Sequence, residues 1–148
     1  IKKILKECDE GIIAIGSSQE KNTLENPFSY DERSQMIAKV FKKAKIKGCK
    51  IYPVPDLYDD NKWINYLKKN LPKFDFVYSG NKWTLKCFKK HDNRVKKIRL
   101  ARGISSTIVR GKIMKNKDWK GLVPKEAADF ITKISGVKRI QKIYSKIN

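Results

Sequence analysis

The stretch GIIAIGSSQEKNTLENPFSYDER, Gly11 to Arg33, decides how this chain must fold. It opens with a short apolar run that ends in small residues, the mark of a buried strand, read here as parallel. From Ser17 to Arg33 lysine nearly vanishes, and Asn, Glu, Pro, Ser and Asp crowd together. That part reads as a loop leaving the strand. Ser29 and Glu32 then form the S-x-x-E capping box, which predicts a helix from about Tyr30. Met36, Ile37, Val40, Phe41 and Ala44 continue the buried face of that helix, and Gly48 is expected to stop it. Strand, long polar loop and capped helix make one βα unit.

Working outward, the same alternation recurs. Ile1, Ile4, Leu5 and Cys8 share a helical stripe before the first strand. CKIYPVP is the next strand, closed by Pro53 and Pro55. Asp60 to Asn70 is helical, with Trp63, Ile64 and Leu67 on one face. FDFVYSGN is a third strand, followed by a short helix from about Lys82 to Lys89 and a weak strand near Val95 to Leu100. ISSTIVRGKIM is a helix capped by Ser105 or Ser106. Pro124 suits the first turn of another helix with Ala127, Ala128, Ile131 and Ile134 inside. Gly136 is expected to end it, and Val137, Ile140, Ile143 and Tyr144 give a last amphipathic turn or two. Strand and helix alternate at least four times, which predicts an α/β fold: a Rossmann-like parallel sheet with helices on both faces. Residues 1–148 read as a single domain with a C-terminal helical segment from about 117.

The chain has 148 residues, 40% of them hydrophobic, enough for one domain with a real core. No apolar run approaches the roughly 18 residues of a membrane span. Three cysteines, far apart, form neither a zinc spacing nor a disulfide framework, so a reducing, cytoplasmic setting is expected. The formal charge is +20, from 35 Lys and Arg against 15 Asp and Glu. The lysines are scattered instead of forming one stripe, which favours a lysine-rich composition over a nucleic-acid interface. His91 sits in a polar loop with no partnering Cys or acid run and reads as a surface histidine.

In parallel α/β sheets, ligands bind at the carboxyl ends of the strands. Three such exits carry small polar residues: Gly16-Ser17-Ser18, Ser79-Gly80-Asn81 and Ser105-Ser106-Thr107. Consecutive hydroxyl residues at a helix start leave backbone N–H groups for phosphate, with Arg110 one turn beyond Thr107. A plain N-cap with a surface Arg is an equal reading. Gly80 allows close backbone approach and Asn81 can read a ribose or base edge; in isolation an ordinary turn is favoured. Trp63 on a helix face is more often core than ligand-stacking. Arg33 stands in the first turn of a helix, where a cation opposes the dipole, and so is a candidate for function.

Taken together, GSSQEKNTLENPFSYDER, VYSGN, ISSTIVR and WKGLVPKEAADFITKISGVKRI resemble, in order and over nearly the whole chain, the archaeal-type nicotinamide-nucleotide adenylyltransferases. The segment Thr23 to Phe28 followed by Glu32-Arg33 is the most specific part. ISSTIVR fits the S-x-T-x-x-R signature of the wider nucleotidyltransferase superfamily. The resemblance implies adenylyl transfer from ATP to nicotinamide mononucleotide, giving NAD and pyrophosphate, with Mg2+ accompanying ATP and no covalent intermediate. It implies that Arg110 with Ser105, Ser106 and Thr107 holds ATP phosphates, and that Gly80 and Asn81 line the nucleotide cleft. It places Gly16 and Ser17 beside the substrate and matches Trp63 to the tryptophan that stacks on the nicotinamide ring. Arg110 and Arg33 are the implied catalytic residues; Asp31 stands where the family has glycine before Glu-Arg. A homo-oligomer is implied as well; that neither a membrane nor a nucleic acid is a partner is expected from the short apolar runs and the scattered charge.

The chain departs from the family pattern in places. Asp60, with Asn61 next to it, stands where the family carries Asn three residues before the tryptophan. Lys82 and Trp83 follow Gly80-Asn81 in place of a Pro or small residue. The family's opening strand, central in its sheet, and its His-x-Gly-His turn have no counterpart here, so the sequence is expected to be N-terminally incomplete. Other superfamily members, such as pantetheine-phosphate adenylyl- or cytidylyltransferases, lack the Thr23 to Arg33 string. An RNA-binding module, the alternative of another class, has no signature in the chain.

Overall fold

The computed structural model describes residues 1–90, 94–98 and 103–146. It forms two compact units: Ile1–Pro55 with Ser106–Asn148, and Asp56–Ser105. In the first unit, strands β1 (Gly11–Ile15) and β2 (Cys49–Pro53) pair in parallel, Gly11 opposite Cys49 and Ile15 opposite Pro53. The connection between them carries α1 (Tyr30–Lys43), a parallel crossover as the alternation predicted. In the second unit, β3 (Phe76–Ser79) and β4 (Arg94–Lys97) pair in parallel, joined through α3 (Lys82–Lys89), and α2 (Asp60–Asn70) precedes them. The expected parallel strands are therefore present as two pairs, one in each unit, among the described residues. β4 begins at Arg94, one residue before the expected strand, and Leu100 and His91 lie outside the described residues.

Three helices complete the first unit: α4 (Ser106–Met114), α5 (Lys125–Lys133) and α6 (Gly136–Ser145). Their apolar faces build the core. Val109 and Ile113 of α4, Ala128 and Ile131 of α5 and Ile140 of α6 cluster with Trp119 and, from the opening stretch, Phe28. The core of the second unit is smaller. Ile64 and Leu67 of α2 and Cys87 and Phe88 of α3 are buried, and the Phe88 ring meets Trp63 at 5.8 Å and Phe74 at 5.9 Å, both edge-on.

Several local expectations are corrected. The stripe from Ile1 to Cys8 yields only one 3₁₀ turn, Ile4–Lys6, because so short a segment cannot offset the cost of helix nucleation. β1 is half-buried, with only Ile15 fully inside, and no residue of α1 is fully buried. α1 ends at Lys43, before Gly48. Lys45 takes the left-handed conformation (φ 53°), and Lys45 N–H and Ile46 N–H return to the carbonyls of Lys42 and Phe41, which closes a Schellman cap without glycine. Gly48, at φ +73°, turns the chain into β2.

Gly136 does not end a helix; it begins α6. The left-handed turn after α5 falls on Ser135 (φ 56°). Gly136 is needed for closeness: a Cβ there would lie 2.7 Å from Phe28 Cε1 and 2.9 Å from the Ile131 carbonyl oxygen. The missing side chain lets Phe28 sit directly on the start of the last helix.

Candidate nucleotide site

The predicted site residues divide between the two units. In the first, the loop from Gly16 to Ser29 is a folded element. Ser17 and Asn22 adopt left-handed backbone (φ 49° and 57°). Ser18 N–H donates to the Val54 carbonyl at 3.1 Å, which ties the exit of β1 to that of β2. Thr23 and Asn26 close a turn: Thr23 N–H donates to the Asn26 carbonyl at 3.2 Å and Asn26 N–H to Thr23 Oγ1 at 3.0 Å. The capping box is complete, with Ser29 Oγ accepting from Glu32 N–H at 3.2 Å and Glu32 Oε2 from Ser29 N–H at 2.9 Å. Each bond satisfies a backbone group that the helix end or the loop would otherwise leave open.

Arg33 joins two of the predicted residues. Its Nη1 donates to the Gly16 carbonyl and its Nη2 to the Ser17 carbonyl, both at 2.8 Å, while Nε reaches the Ser29 carbonyl at 3.4 Å. The cation that opposes the α1 dipole is here matched to carbonyl dipoles at the strand exit. It fixes the path of Gly16 and Ser17, so its observed work is positioning.

Glu32 has a second partner. Arg139 of α6 places Nη1 at 2.6 Å from Glu32 Oε2 and 3.3 Å from the Pro27 carbonyl, with its guanidinium 5.7 Å from the Phe28 ring centre. The Arg139 guanidinium holds the Glu32 carboxyl below its ordinary range, against the opposing effect of burial and with help from Ser29 N–H. The same bond raises Arg139 further above its already high value.

The second cluster of the first unit is α4. Ser106 and Thr107 are exposed at its first turn, and Arg110 is half-buried one turn on. An exposed helix start with two hydroxyls and a following Arg can accept an anion. Ser105 immediately precedes the helix, in the cap position. The far end of α4 is held by α6: Asn116 is left-handed (φ 51°), and Gln141 Nε2 donates to Asn116 Oδ1 at 2.7 Å and to the Ile113 carbonyl at 3.3 Å.

In the second unit, Asp60, Asn61 and Trp63 occupy the first turn of α2, whose N-cap Asp59 accepts from Lys62 N–H at 2.8 Å. Gly80 and Asn81 follow β3. Asn81 Oδ1 accepts from the N–H groups of Trp83 and Thr84 at 2.8 and 3.3 Å, so this side-chain oxygen caps α3. Trp63 and Trp83 have ring centres 4.8 Å apart, tilted by 48°. Trp83 Nε1 donates to Asp60 Oδ1 at 2.9 Å. Burial pushes the Cys87 thiol up, and the neighbouring Asp60 carboxylate pushes it the same way. Asp60 and Trp83, two of the positions at which this chain departs from the pattern of the resemblance, are thus bonded to each other.

No family model matches the chain. Among curated proteins it is 37% identical over 148 residues to the nicotinamide-nucleotide adenylyltransferase of Methanococcus aeolicus, covering 99% of this chain and 86% of the relative. It is 33% identical over 147 residues to the protein of the same name from Thermococcus onnurineus, covering 97% of this chain and 79% of that one. The chain belongs to the nicotinamide-nucleotide adenylyltransferase family. The Archaeoglobus fulgidus member is 33% identical over 150 residues, covering 97% of this chain and 86% of its own length.

Among solved structures, this adenylyltransferase-family chain is similar to a bifunctional NMN adenylyltransferase/ADP ribose pyrophosphatase from Francisella tularensis, with TM-score 0.83 and 22% identity. The match covers 99% of this chain and 47% of that protein, so the chain spans about half of it. The same protein complexed with AMP and a manganese ion matches with TM-score 0.80. These likenesses establish the shared α/β, Rossmann-like fold. In this member of the family, sequence reasoning missed Trp83 as a partner of Trp63, and Arg139 and Gln141 as the α6 side chains that hold the loop and α4. A tryptophan two residues past the capping Asn81 was the available signal for Trp83. For Arg139, 107 residues from Glu32, there was none.

Proposed function

We propose that this protein transfers the adenylyl group of ATP to nicotinamide mononucleotide, forming NAD and pyrophosphate. The observation that carries the proposal is the match of 97–99% of this chain to archaeal proteins named for that activity. A 5′-phosphate oxygen of the mononucleotide attacks the α-phosphorus. The bond from that phosphorus to the bridging oxygen of pyrophosphate breaks, and pyrophosphate leaves with the electron pair. No covalent enzyme intermediate is needed, because in-line positioning and cations on the triphosphate supply the catalysis. Magnesium enters as substrate on the ATP triphosphate. Among the described residues, no group of three or more His, Cys, Asp or Glu is placed to hold a metal ion.

The site assignments rest on the resemblance to this family, and the chemistry of each residue supports them. Ser105, Ser106 and Thr107 offer backbone N–H and hydroxyl donors to the triphosphate, and Arg110 adds a forked cation as charge develops on it. Gly16 and Ser17, fixed by Arg33, line the pocket for the mononucleotide, and Gly80 with Asn81 lines the nucleotide cleft. Trp63 receives the nicotinamide ring, with Asp60 and Asn61 as its polar neighbours. No helix among the described residues is long and apolar enough to cross a membrane; a cytoplasmic homo-oligomer is the accompanying proposal.

The test is direct. Purified protein, ATP, magnesium and nicotinamide mononucleotide should yield NAD and pyrophosphate in equal amounts. Turnover of a different phosphate acceptor without NAD formation would overturn the proposal. Trp63→Ala should weaken the mononucleotide and leave ATP binding little changed; the reverse pattern would refute its stacking role.

A further inference from the structure

Trp83 is a large aromatic residue left 44% exposed, yet its ring is fixed on two sides. The indole N–H is given to Asp60, and the ring leans on Trp63. Asp60 and Trp63 stand three residues apart on α2, one turn along the same face. One carboxylate and two indole rings therefore share a small exposed area at the start of α2.

Each part has a defined chemical preference. The nicotinamide ring of the mononucleotide is a quaternised pyridinium, and cations are attracted to indole faces. Its carboxamide carries two N–H donors, which an anionic carboxylate accepts well. Nicotinic acid mononucleotide has a carboxylate in place of that carboxamide, and two carboxylates at close range repel.

We infer that Trp83 and Asp60 determine specificity: Trp83 completes with Trp63 one aromatic surface for the pyridinium ring, and the Asp60 carboxylate that orients Trp83 favours nicotinamide mononucleotide over nicotinic acid mononucleotide. The inference rests on the reading of Trp63 as the residue that receives the ring. Asp60 thereby acts twice, through the indole it holds and through its charge.

The experiment compares kcat/KM for the two mononucleotides at saturating magnesium–ATP in the unaltered protein, Asp60→Asn and Trp83→Phe. The unaltered protein should prefer the nicotinamide form by roughly tenfold or more, the scale of one unfavourable like-charge contact. Asp60→Asn keeps an acceptor for the Trp83 N–H but removes the charge. It should narrow the preference about tenfold, chiefly through a lower KM for nicotinic acid mononucleotide, with the KM for ATP unchanged. Trp83→Phe keeps a ring and loses the N–H donor; it should raise the KM for nicotinamide mononucleotide several-fold with little change in kcat. Quenching of intrinsic tryptophan fluorescence by nicotinamide mononucleotide, without ATP, should lose part of its amplitude in Trp83→Phe. An unchanged preference in Asp60→Asn, or unchanged KM and quenching in Trp83→Phe, overturns the inference while NAD formation still stands. Failure of the unaltered protein to form NAD removes the proposed function itself, and this inference with it.

Discussion

Arg139 Nη1 lies 2.6 Å from Glu32 Oε2 and 3.3 Å from the Pro27 carbonyl oxygen, so one guanidinium on α6 grips both sides of the segment that caps α1. Both side chains are largely shielded, at 29% and 21% exposure. The pair should therefore couple more strongly than an open surface ion pair. A double-mutant cycle with Glu32→Gln and Arg139→Met should give a coupling of about 1–2 kcal/mol by urea unfolding. A coupling near zero would show that the contact does not hold the segment.

The same pair sets an acid limit. Glu32 titrates lower in the folded chain than in the unfolded one, so its contribution is fully present above the unfolded carboxylate value, about 4.3. It is lost as pH falls through the lowered folded value. Unfolding midpoints of the unaltered protein and Glu32→Gln should differ at pH 6 and converge in strong acid. A gap that stays constant through that range would contradict the shift.

Gly136→Ala tests the contact between the opening stretch and the last helix. The added methyl would meet Phe28 Cε1 at 2.7 Å and the Ile131 carbonyl at 2.9 Å. The ring can give way, but the backbone oxygen cannot do so cheaply. A loss of roughly 1–3 kcal/mol is expected in chemical denaturation, although alanine is the better helix former. A gain in stability would mean that the glycine is tolerated and not required.

Arg33→Lys keeps the charge but cannot fork onto the carbonyls of Gly16 and Ser17. The loop should lose definition where the mononucleotide is proposed to sit. A fall in kcat/KM on the order of tenfold to a hundredfold is expected, with a rise in KM for the mononucleotide and little for ATP. Full activity in the variant would leave Arg33 with a stability role alone.

Much of this arrangement was legible in the sequence where the cause is local. The capping box of Ser29 and Glu32 marked the start of α1, and α2 and α3 fall on the expected spans. These signals depend on residues three or four apart. The errors fall where a distant partner decides. Gly136 reads as a helix stop by its own preference, but Phe28, folded in from the other end of the chain, gives it a different use. Arg33 was marked by its opposition to the helix dipole, while the carbonyls that occupy it belong to a loop whose path no periodicity reveals. The division into two units was equally hidden, because the chain leaves the first unit after Pro55 and rejoins it at Ser106. Trp83 reads in the sequence only as a residue standing where the family has a Pro or small residue; its partner Asp60 lies 23 residues away.

The grip of Arg139 on Glu32 and Pro27 also has a hereditary side. Two distant parts of this sequence are answerable to each other: the acid Glu32 is matched to the base Arg139, and Phe28 to Gly136. A hybrid gene that took its opening from one family member and its last two helices from another would inherit half of each match. Exchange of the middle segment, Asp56 to Ser105, leaves both matches intact. In such shuffling experiments the productive crossovers should fall at the borders of that segment.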